Sequence, residues 1–129
     1  MTSWFSDEWF AAVRPELAGI EGPSSLSGTV QVDVTGGDGG DASCHLEFAG
    51  GRLVDAGPGG SNGADATLTV SEGDARDILV GRLDPSVAFM QGRMKVAGSM
   101  APVIDLLSLS ATDEARARRA RVAGVSGLV

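Results

Sequence analysis

The alternation of apolar and polar residues is most regular between residues 64 and 70, where it predicts a β-strand. Ala66, Leu68 and Val70 point one way and the polar residues between them point the other way, as in a strand with one buried and one solvated face. Ser71 follows at once and, with an acidic residue three positions later, resembles the start of a helix. We therefore predict a strand that leads directly into a helix.

The residues that follow predict two more helices and a further strand. Gly81 ends the first helix, and Asp84-Pro85 begins a short second helix, because aspartate caps helices well and proline suits their first position. Residues 93–97 alternate as a strand. From residue 99 to 109 the apolar positions predict a helix whose apolar arc is wider than one packing face needs. We expect something besides the sheet to contact this last helix.

The first half of the chain predicts an N-terminal helix followed by a three-stranded meander. Aromatic residues are concentrated in the helix, residues 1–14, which is expected to stop or kink at Pro15. Aromatics at helical spacing are typical of a core. The alternative is that Trp4 and Phe5 lie at the rim of an apolar cavity and move when it fills. The strands are predicted at 29–34, 43–48 and 52–56, with a turn at 36–41 between the first two.

One long run of residues carries a family resemblance. It reads G-x-L-D-P-x-x-A-F-M-x-G-x-M-K-V-x-G-x-M without a break from Gly81 to Met100. This run, with the strand before it, resembles the C-terminal half of the sterol carrier protein 2 (sterol-transfer) family, whereas the first half of the chain fits that family only in the order of its elements. The resemblance implies an α+β fold, in which helices cover one side of a five-stranded, mostly antiparallel sheet and enclose an apolar tunnel. Members of that family bind sterols, fatty acids or fatty acyl-CoA, so it also implies intracellular lipid transfer without catalysis.

The resemblance further implies that apolar side chains of the matching region line the tunnel. Three of them are methionines, whose flexible and polarisable side chains adapt to ligands of different shapes. The pattern of the N-terminal helix adds three more candidates. Core packing against the sheet is the competing interpretation for each of them. The candidates are Ile78, Leu83, Phe89, Met90, Met94, Met100, Ile104 and Leu107 from the resemblance, and Trp9, Phe10 and Val13 from the helical pattern.

Length and composition fit a single domain that needs neither a disulfide nor a metal to fold. A chain of 129 residues buries about two thirds of the surface that it exposes when unfolded. The single cysteine cannot form an internal disulfide, and neither a secretory leader nor an apolar run of about 18 residues is evident. The frequent use of glycine, alanine and arginine indicates a bacterial protein. We expect a bacterial cytoplasmic protein that is a monomer or a weak dimer.

Charge argues against nucleic acid as a partner. The formal net charge is −7, whereas nucleic-acid binding requires clustered lysine and arginine. Stable membrane insertion is not expected either. The exception is the arginine-rich tail, residues 113–129. One interpretation is a solvated helix end whose cations favour the helix dipole; the other is a contact with phosphate or an anionic lipid headgroup.

Residues suited to catalysis or metal binding are few. His45, the only histidine, is expected on the outer face of its strand. Cys44 points inward, and a cysteine buried in apolar surroundings stays protonated and inert. No cluster has the spacing of metal ligands, so neither a metal nor a cofactor is expected.

Two other functions stay open. A small steroid-isomerase-like enzyme would use a general-base aspartate and a tyrosine donor; Asp105 is a candidate acid, but the chain contains no tyrosine. The other is a protein-interaction module of the same fold with a filled cavity.

Overall fold

The computed structural model describes residues 4–17, 19–37 and 40–125. Residues 38 and 39 of the predicted turn, the start of the predicted N-terminal helix and the end of the arginine-rich tail lie outside the described residues. The described elements are α1 (Asp7–Leu17), β1 (Gly28–Gly37), β2 (Gly40–Ala49), β3 (Arg52–Pro58), β4 (Ala66–Ser71), α2 (Glu72–Leu79), α3 (Pro85–Met90), β5 (Met94–Gly98), α4 (Met100–Ser110) and α5 (Asp113–Val125).

The five strands form one mixed sheet in the order β3-β2-β1-β4-β5. β1 runs parallel to β4, and the other neighbouring pairs are antiparallel. The mostly antiparallel five-stranded sheet expected from the resemblance is therefore confirmed. The parallel pair aligns Val30 with Ala66 and Val34 with Val70. Because strand side chains alternate with a period of two, this register places all four on the same face.

The helices cover the apolar face of the sheet, and the opposite face is polar. Phe10 and Val13 of α1 are buried in one cluster with Val34 of β1 and Cys44 of β2. On the opposite face Asp33 accepts hydrogen bonds from the side chains of neighbouring polar residues, including Ser43 at 2.7 Å. The sheet thus separates an apolar interior from a hydrated surface, as the alternation predicts.

The helix starts expected from the sequence also agree with the structure. The Ser71 hydroxyl accepts a hydrogen bond from the backbone N–H of Asp74 at 3.2 Å, which caps α2. The Asp84 carboxylate accepts from the N–H groups of Ser86 and Val87 at 2.8 and 3.3 Å, which caps α3. Ser99 has the extended backbone of a cap but makes no side-chain capping bond.

Helix α1 does not stop at Pro15 but continues to Leu17. A proline inside a helix removes one backbone hydrogen bond and crowds the preceding turn. Here contacts from α5 hold the last turn, because Arg118 donates to the backbone carbonyl of Glu16 at 2.8 Å and Arg121 pairs with the Glu16 carboxylate at 2.6 Å. Long-range contacts of this kind are invisible to a local pattern.

Gly98, where β5 ends, is required for a close approach of two backbone segments. Its φ is +90°, and a Cβ atom built on it would lie 2.5 Å from the carbonyl oxygen of Asp65. The same oxygen accepts a hydrogen bond from the N–H of Ser99 at 2.8 Å. The contact therefore fixes the point at which β5 turns into α4.

The substitution Gly98→Ala is expected to lower the free energy of unfolding by about 2 kcal/mol or more, because it combines backbone strain with a steric clash. Gly92→Ala is the matched control: Gly92 also has a positive φ, +74°, but a Cβ atom built on it would have nothing within 4 Å. It should cost about 1 kcal/mol from strain alone. Denaturant titration measures both, and equal losses would contradict the close-approach argument.

Burial raises the pKa of the Cys44 thiol to about 12, from an ordinary value of 9.0. At pH values between these two pKa values the thiol ionises in the unfolded chain but not in the folded protein. Unfolding therefore releases a proton, and the free energy of unfolding falls as the pH rises. The expected loss from this thiol is about 1.4 kcal/mol per pH unit. Denaturant titrations between pH 9 and 11 should show that Cys44→Ala removes this component of the slope. Identical slopes in both proteins would contradict the burial of the thiol. Tyrosine cannot contribute, since the chain has none.

Candidate functional site

An apolar cavity of about 250 Å³ lies between helices α1, α2, α4 and α5. Its apolar wall combines residues that are distant in the sequence. Trp9 contributes an aromatic side chain that is 7% exposed. The apolar lining residues are Trp9, Leu17, Ile20, Leu79, Leu106, Leu109, Ala115 and Val122.

The polar side of the cavity carries both signs of charge together with two hydroxyl groups. Its described lining residues are Glu16, Glu21, Ser110, Thr112, Glu114, Arg118 and Arg119.

Helix α5 forms one wall of the cavity, and its docking depends on a few buried side chains. Val122 and Ala123 are buried, whereas most of the helix is polar and accessible. Arg118 pairs with Glu114 at 2.8 Å within the helix and donates to α1 across the interface. Because exposed ion pairs contribute little to stability, the burial of Val122 is the main apolar contribution to holding α5 in place.

The arginine-rich tail is therefore a packed helix over its described part, residues 113–125. It contacts α1 and α2. The interpretation as a merely solvated helix end is incomplete, because one edge of the helix is buried. The arginines nevertheless keep their charged ends at the surface or beside the cavity, as long amphipathic side chains do.

A second cavity of about 170 Å³ adjoins the first beneath the same helix. Ile78, Leu79 and Leu83 contribute its apolar side, and Asp84 and the arginines of α5 contribute its polar side. Leu79 and Arg119 line both cavities. These two side chains therefore lie between the two spaces.

The predicted pocket residues divide into three groups. Trp9 lines the first cavity, and Ile78 and Leu83 line the second. Phe10, Val13 and Met94 are buried in the core but line neither cavity. Phe89, Met90, Met100, Ile104 and Leu107 also lie outside both cavities.

Several of the last group face outward. Met90 is 82% exposed, Ile104 is 55% exposed and Met100 is 37% exposed. Met90 belongs to α3, and the other two belong to α4, which contacts α3. No strand residue borders either cavity among the described residues. A tunnel between the last predicted helix and the sheet thus stays a prediction.

The wide apolar arc of α4 was the sequence signal that pointed toward the cavity. Val103 faces the core and is 1% exposed, whereas Leu106 and Leu109 line the cavity. The expectation that something besides the sheet contacts this helix is met by α5. No comparable signal marked α5, because Val122 is isolated within a polar helix.

Neither Trp4 nor Phe5 lies at the rim of the described cavities. Phe5 is buried in the core with a positive φ of 56°, and its ring meets that of Trp9 edge to face at 5.3 Å between centroids. Trp4 packs on both rings and donates to the Glu72 carboxylate at 3.4 Å. The aromatic cluster therefore joins α1 to the core, as aromatics at helical spacing predict.

The titratable groups considered as chemical candidates lie outside both cavities. His45 is near Asp55 at 3.6 Å and near the carbonyl of Gly59 at 3.1 Å. Asp105 accepts a hydrogen bond from the Ser25 hydroxyl at 2.9 Å. Among residues 4–17, 19–37 and 40–125 no group of three or more histidine, cysteine or acidic side chains is arranged to hold a metal ion.

A family model described as the SCP-2 sterol transfer family matches residues 21–110. The chain belongs to this family, which confirms the resemblance found in the sequence. The match includes the sheet and helices α2 to α4 but excludes α1 and α5. Most of the first cavity's lining residues therefore lie outside the matched region.

Individual relatives agree with this assignment. Hydroxysteroid dehydrogenase-like protein 2 of Bos taurus is 31% identical over 103 residues, which cover 80% of this chain and 24% of the relative. The chain thus spans about a quarter of that protein's length.

Solved structures share the fold. A crystal structure of sterol carrier protein 2 has a TM-score of 0.71 at 19% identity and covers 92% of this chain and 98% of that chain. The solution structure of palmitated sterol carrier protein 2-like 2 from Aedes aegypti has a TM-score of 0.65 at 18% identity, covering 82% and 94%. At these identities the likeness concerns the fold alone. No helix in the described part of the chain is long and apolar enough to cross a bilayer.

Shortening the buried side chain of α5 is expected to weaken its docking. Val122→Ala should lower the free energy of unfolding by about 1–2 kcal/mol, because two buried carbon atoms are removed. The control is Val125→Ala on the same helix, where the side chain is 48% exposed and the change should be within about 0.5 kcal/mol of zero. Denaturant titration, with amide exchange of α1 as a local probe, gives both values. Equal effects would contradict the packed position of α5.

Proposed function

We propose that this domain binds the apolar chain of a lipid in the cavity beneath α5 and transfers it without catalysing a reaction. The observation that carries the proposal is an apolar cavity between helices in a member of the sterol transfer family. The palmitated relative of the same fold supports an acyl chain as the cargo. Sterols and fatty acyl-CoA remain part of the proposed ligand class.

The size of the cavity limits the length of the lipid chain that it accommodates. Ligand pockets for small molecules are typically about 300–1,000 Å³, and the first cavity, at about 250 Å³, lies just below that range. It suits a short chain or one end of a longer chain. A longer ligand would extend into the second cavity after Leu79 and Arg119 move, or would displace α5.

The energetics suit a carrier that releases its ligand. Each buried methylene contributes about 0.8 kcal/mol, so ten of them contribute roughly 8 kcal/mol before costs. Association costs of about 4–15 kcal/mol offset much or all of this gain. The expected affinity is therefore moderate to weak, which permits exchange between donor and acceptor surfaces.

A protein-interaction module is the second candidate, and exposed apolar side chains favour it. Val87 and Met90 on α3 and Met100 and Ile104 on α4 are all more than a third exposed. The two helices contact each other, and exposed apolar patches often mark interaction sites. In this alternative the cavities stay unused, so a variant that fills the first cavity would leave partner binding unchanged.

The cavity is tested by filling it. Ala115 lines it, whereas Ala117 on the same helix is exposed and does not. Ala115→Phe is expected to weaken binding of 1-dodecanol at least about tenfold, because a ring that displaces two or more methylenes of the chain removes roughly 1.6 kcal/mol or more of burial. Ala117→Phe should bind like the parent protein. Native mass spectrometry and tryptophan emission measure binding, since Trp9 lines the cavity.

Two results would contradict the proposal that a lipid chain binds in the first cavity. If the parent protein binds neither 1-dodecanol nor a fluorescent sterol, lipid binding fails as the function. If both phenylalanine variants bind the alcohol equally well, the ligand occupies another part of the domain. A vesicle-to-vesicle transfer assay then separates binding from transfer.

A further inference from the structure

The carboxylates that line the first cavity are already neutralised. Each of the three acidic lining residues has an arginine within ion-pair distance, and the arginines come from three separate positions in the chain. These contacts leave no excess negative charge on the cavity wall. The pairs are Glu16 with Arg121 at 2.6 Å, Glu21 with Arg52 at 3.3 Å and Glu114 with Arg118 at 2.8 Å.

Arg119 differs from the other charged residues of the cavity. It is half-buried, and it lines both cavities. Its Nη1 donates to the backbone carbonyl of Ser110 at 2.9 Å. Within the part of the chain that the structure describes, no carboxylate lies within ion-pair distance of it. Its guanidinium therefore has no direct ion-pair partner among those residues.

The surroundings make this charge costly. Burial lowers the pKa of Arg119; the charge of Asp84 offsets part of this effect, and the charge of Arg116 adds to the lowering. The Asp84 carboxylate is engaged in capping α3. Because a guanidinium does not lose its proton at ordinary pH, the half-buried cation is retained at a cost that an anionic ligand would relieve.

The guanidinium also has donors to spare. Arginine carries five N–H donors in a planar fork, and one hydrogen bond is made within the described residues. A carboxylate or phosphate accepts two parallel hydrogen bonds from such a fork. A neutral hydroxyl cannot neutralise the charge. The cavity thus combines an apolar wall with one cationic group suited to an oxyanion.

We propose that Arg119 recognises the oxyanion headgroup of the bound lipid and makes the site selective for single-chain anionic lipids over neutral ones. The two possible headgroups, a carboxylate and a phosphate, share one feature: an oxyanion at the end of an alkyl chain. The inference rests on the proposed lipid binding. Arg119 lies outside the family-matched residues 21–110.

A matched ligand series tests the proposal. Calorimetric titration with decanoate, decyl phosphate and 1-decanol keeps the alkyl chain constant and changes only the headgroup. The parent protein should bind the better anion at least about tenfold more tightly than the alcohol, as expected for a hydrogen-bonded charged pair. Comparison of decanoate with decyl phosphate distinguishes the two possible headgroups.

Substitution of Arg119 should remove the preference for an anion. Arg119→Gln is expected to bind the anions within about twofold of 1-decanol; the measured quantity is the ratio of anion to alcohol affinity within each protein, because Arg119 also lines the cavity. Arg82→Gln is the control, because Arg82 is 73% exposed, pairs with Asp77 and lines neither cavity. It should keep the preference of the parent protein.

The outcomes separate this inference from the proposed function. Equal binding of anions and alcohol by the parent protein would overturn the headgroup proposal and leave lipid binding standing, whereas no binding of any ligand would defeat the function itself. A preference that survives in Arg119→Gln would also overturn it. If that variant does not fold, Arg119→Lys replaces it: lysine keeps the charge but lacks the fork, so the preference must fall partway, and no change would refute the proposal.

Discussion

The packing of α5 across α1 and α2 is the contact on which the candidate site depends. Without it, the apolar side chains of α1 and α4 that line the first cavity would face water. The contact is small: Val122 and Ala123 are the buried residues of a helix that is otherwise rich in arginine and alanine. A helix held by so few apolar atoms is expected to be among the elements most easily displaced.

The domain divides into the family-matched residues 21–110 and the two helices that flank them. The sheet and helices α2 to α4 correspond to the family match, and their apolar faces form a continuous core with α1. The helices at the two ends of the chain, α1 and α5, bring most of the residues that line the first cavity. The shape and charge of the first cavity therefore depend largely on segments outside the matched residues.

The charges around the cavity are arranged unevenly, although the chain as a whole is acidic. Three lining carboxylates are paired with arginines, and Arg119 is left beside the apolar wall. Such a position is stabilised only if the apolar packing around it compensates for the desolvation of the cation. The net charge of −7 therefore describes the outer surface better than it describes the interior of the site.

The sequence by itself determined the strands, the capped helices α2 and α3, the family and the sheet, because these depend on alternation, caps and a long unbroken run of residues between Gly81 and Met100. Only the tertiary structure decided which apolar residues line a cavity. Met90 and Val122 illustrate the reason. Met90 has a flexible apolar side chain of the type expected in a pocket but is 82% exposed, whereas Val122 lies in a polar helix and is buried. Burial depends on which helices contact each other across the fold, and neither periodicity nor residue type predicts those long-range contacts.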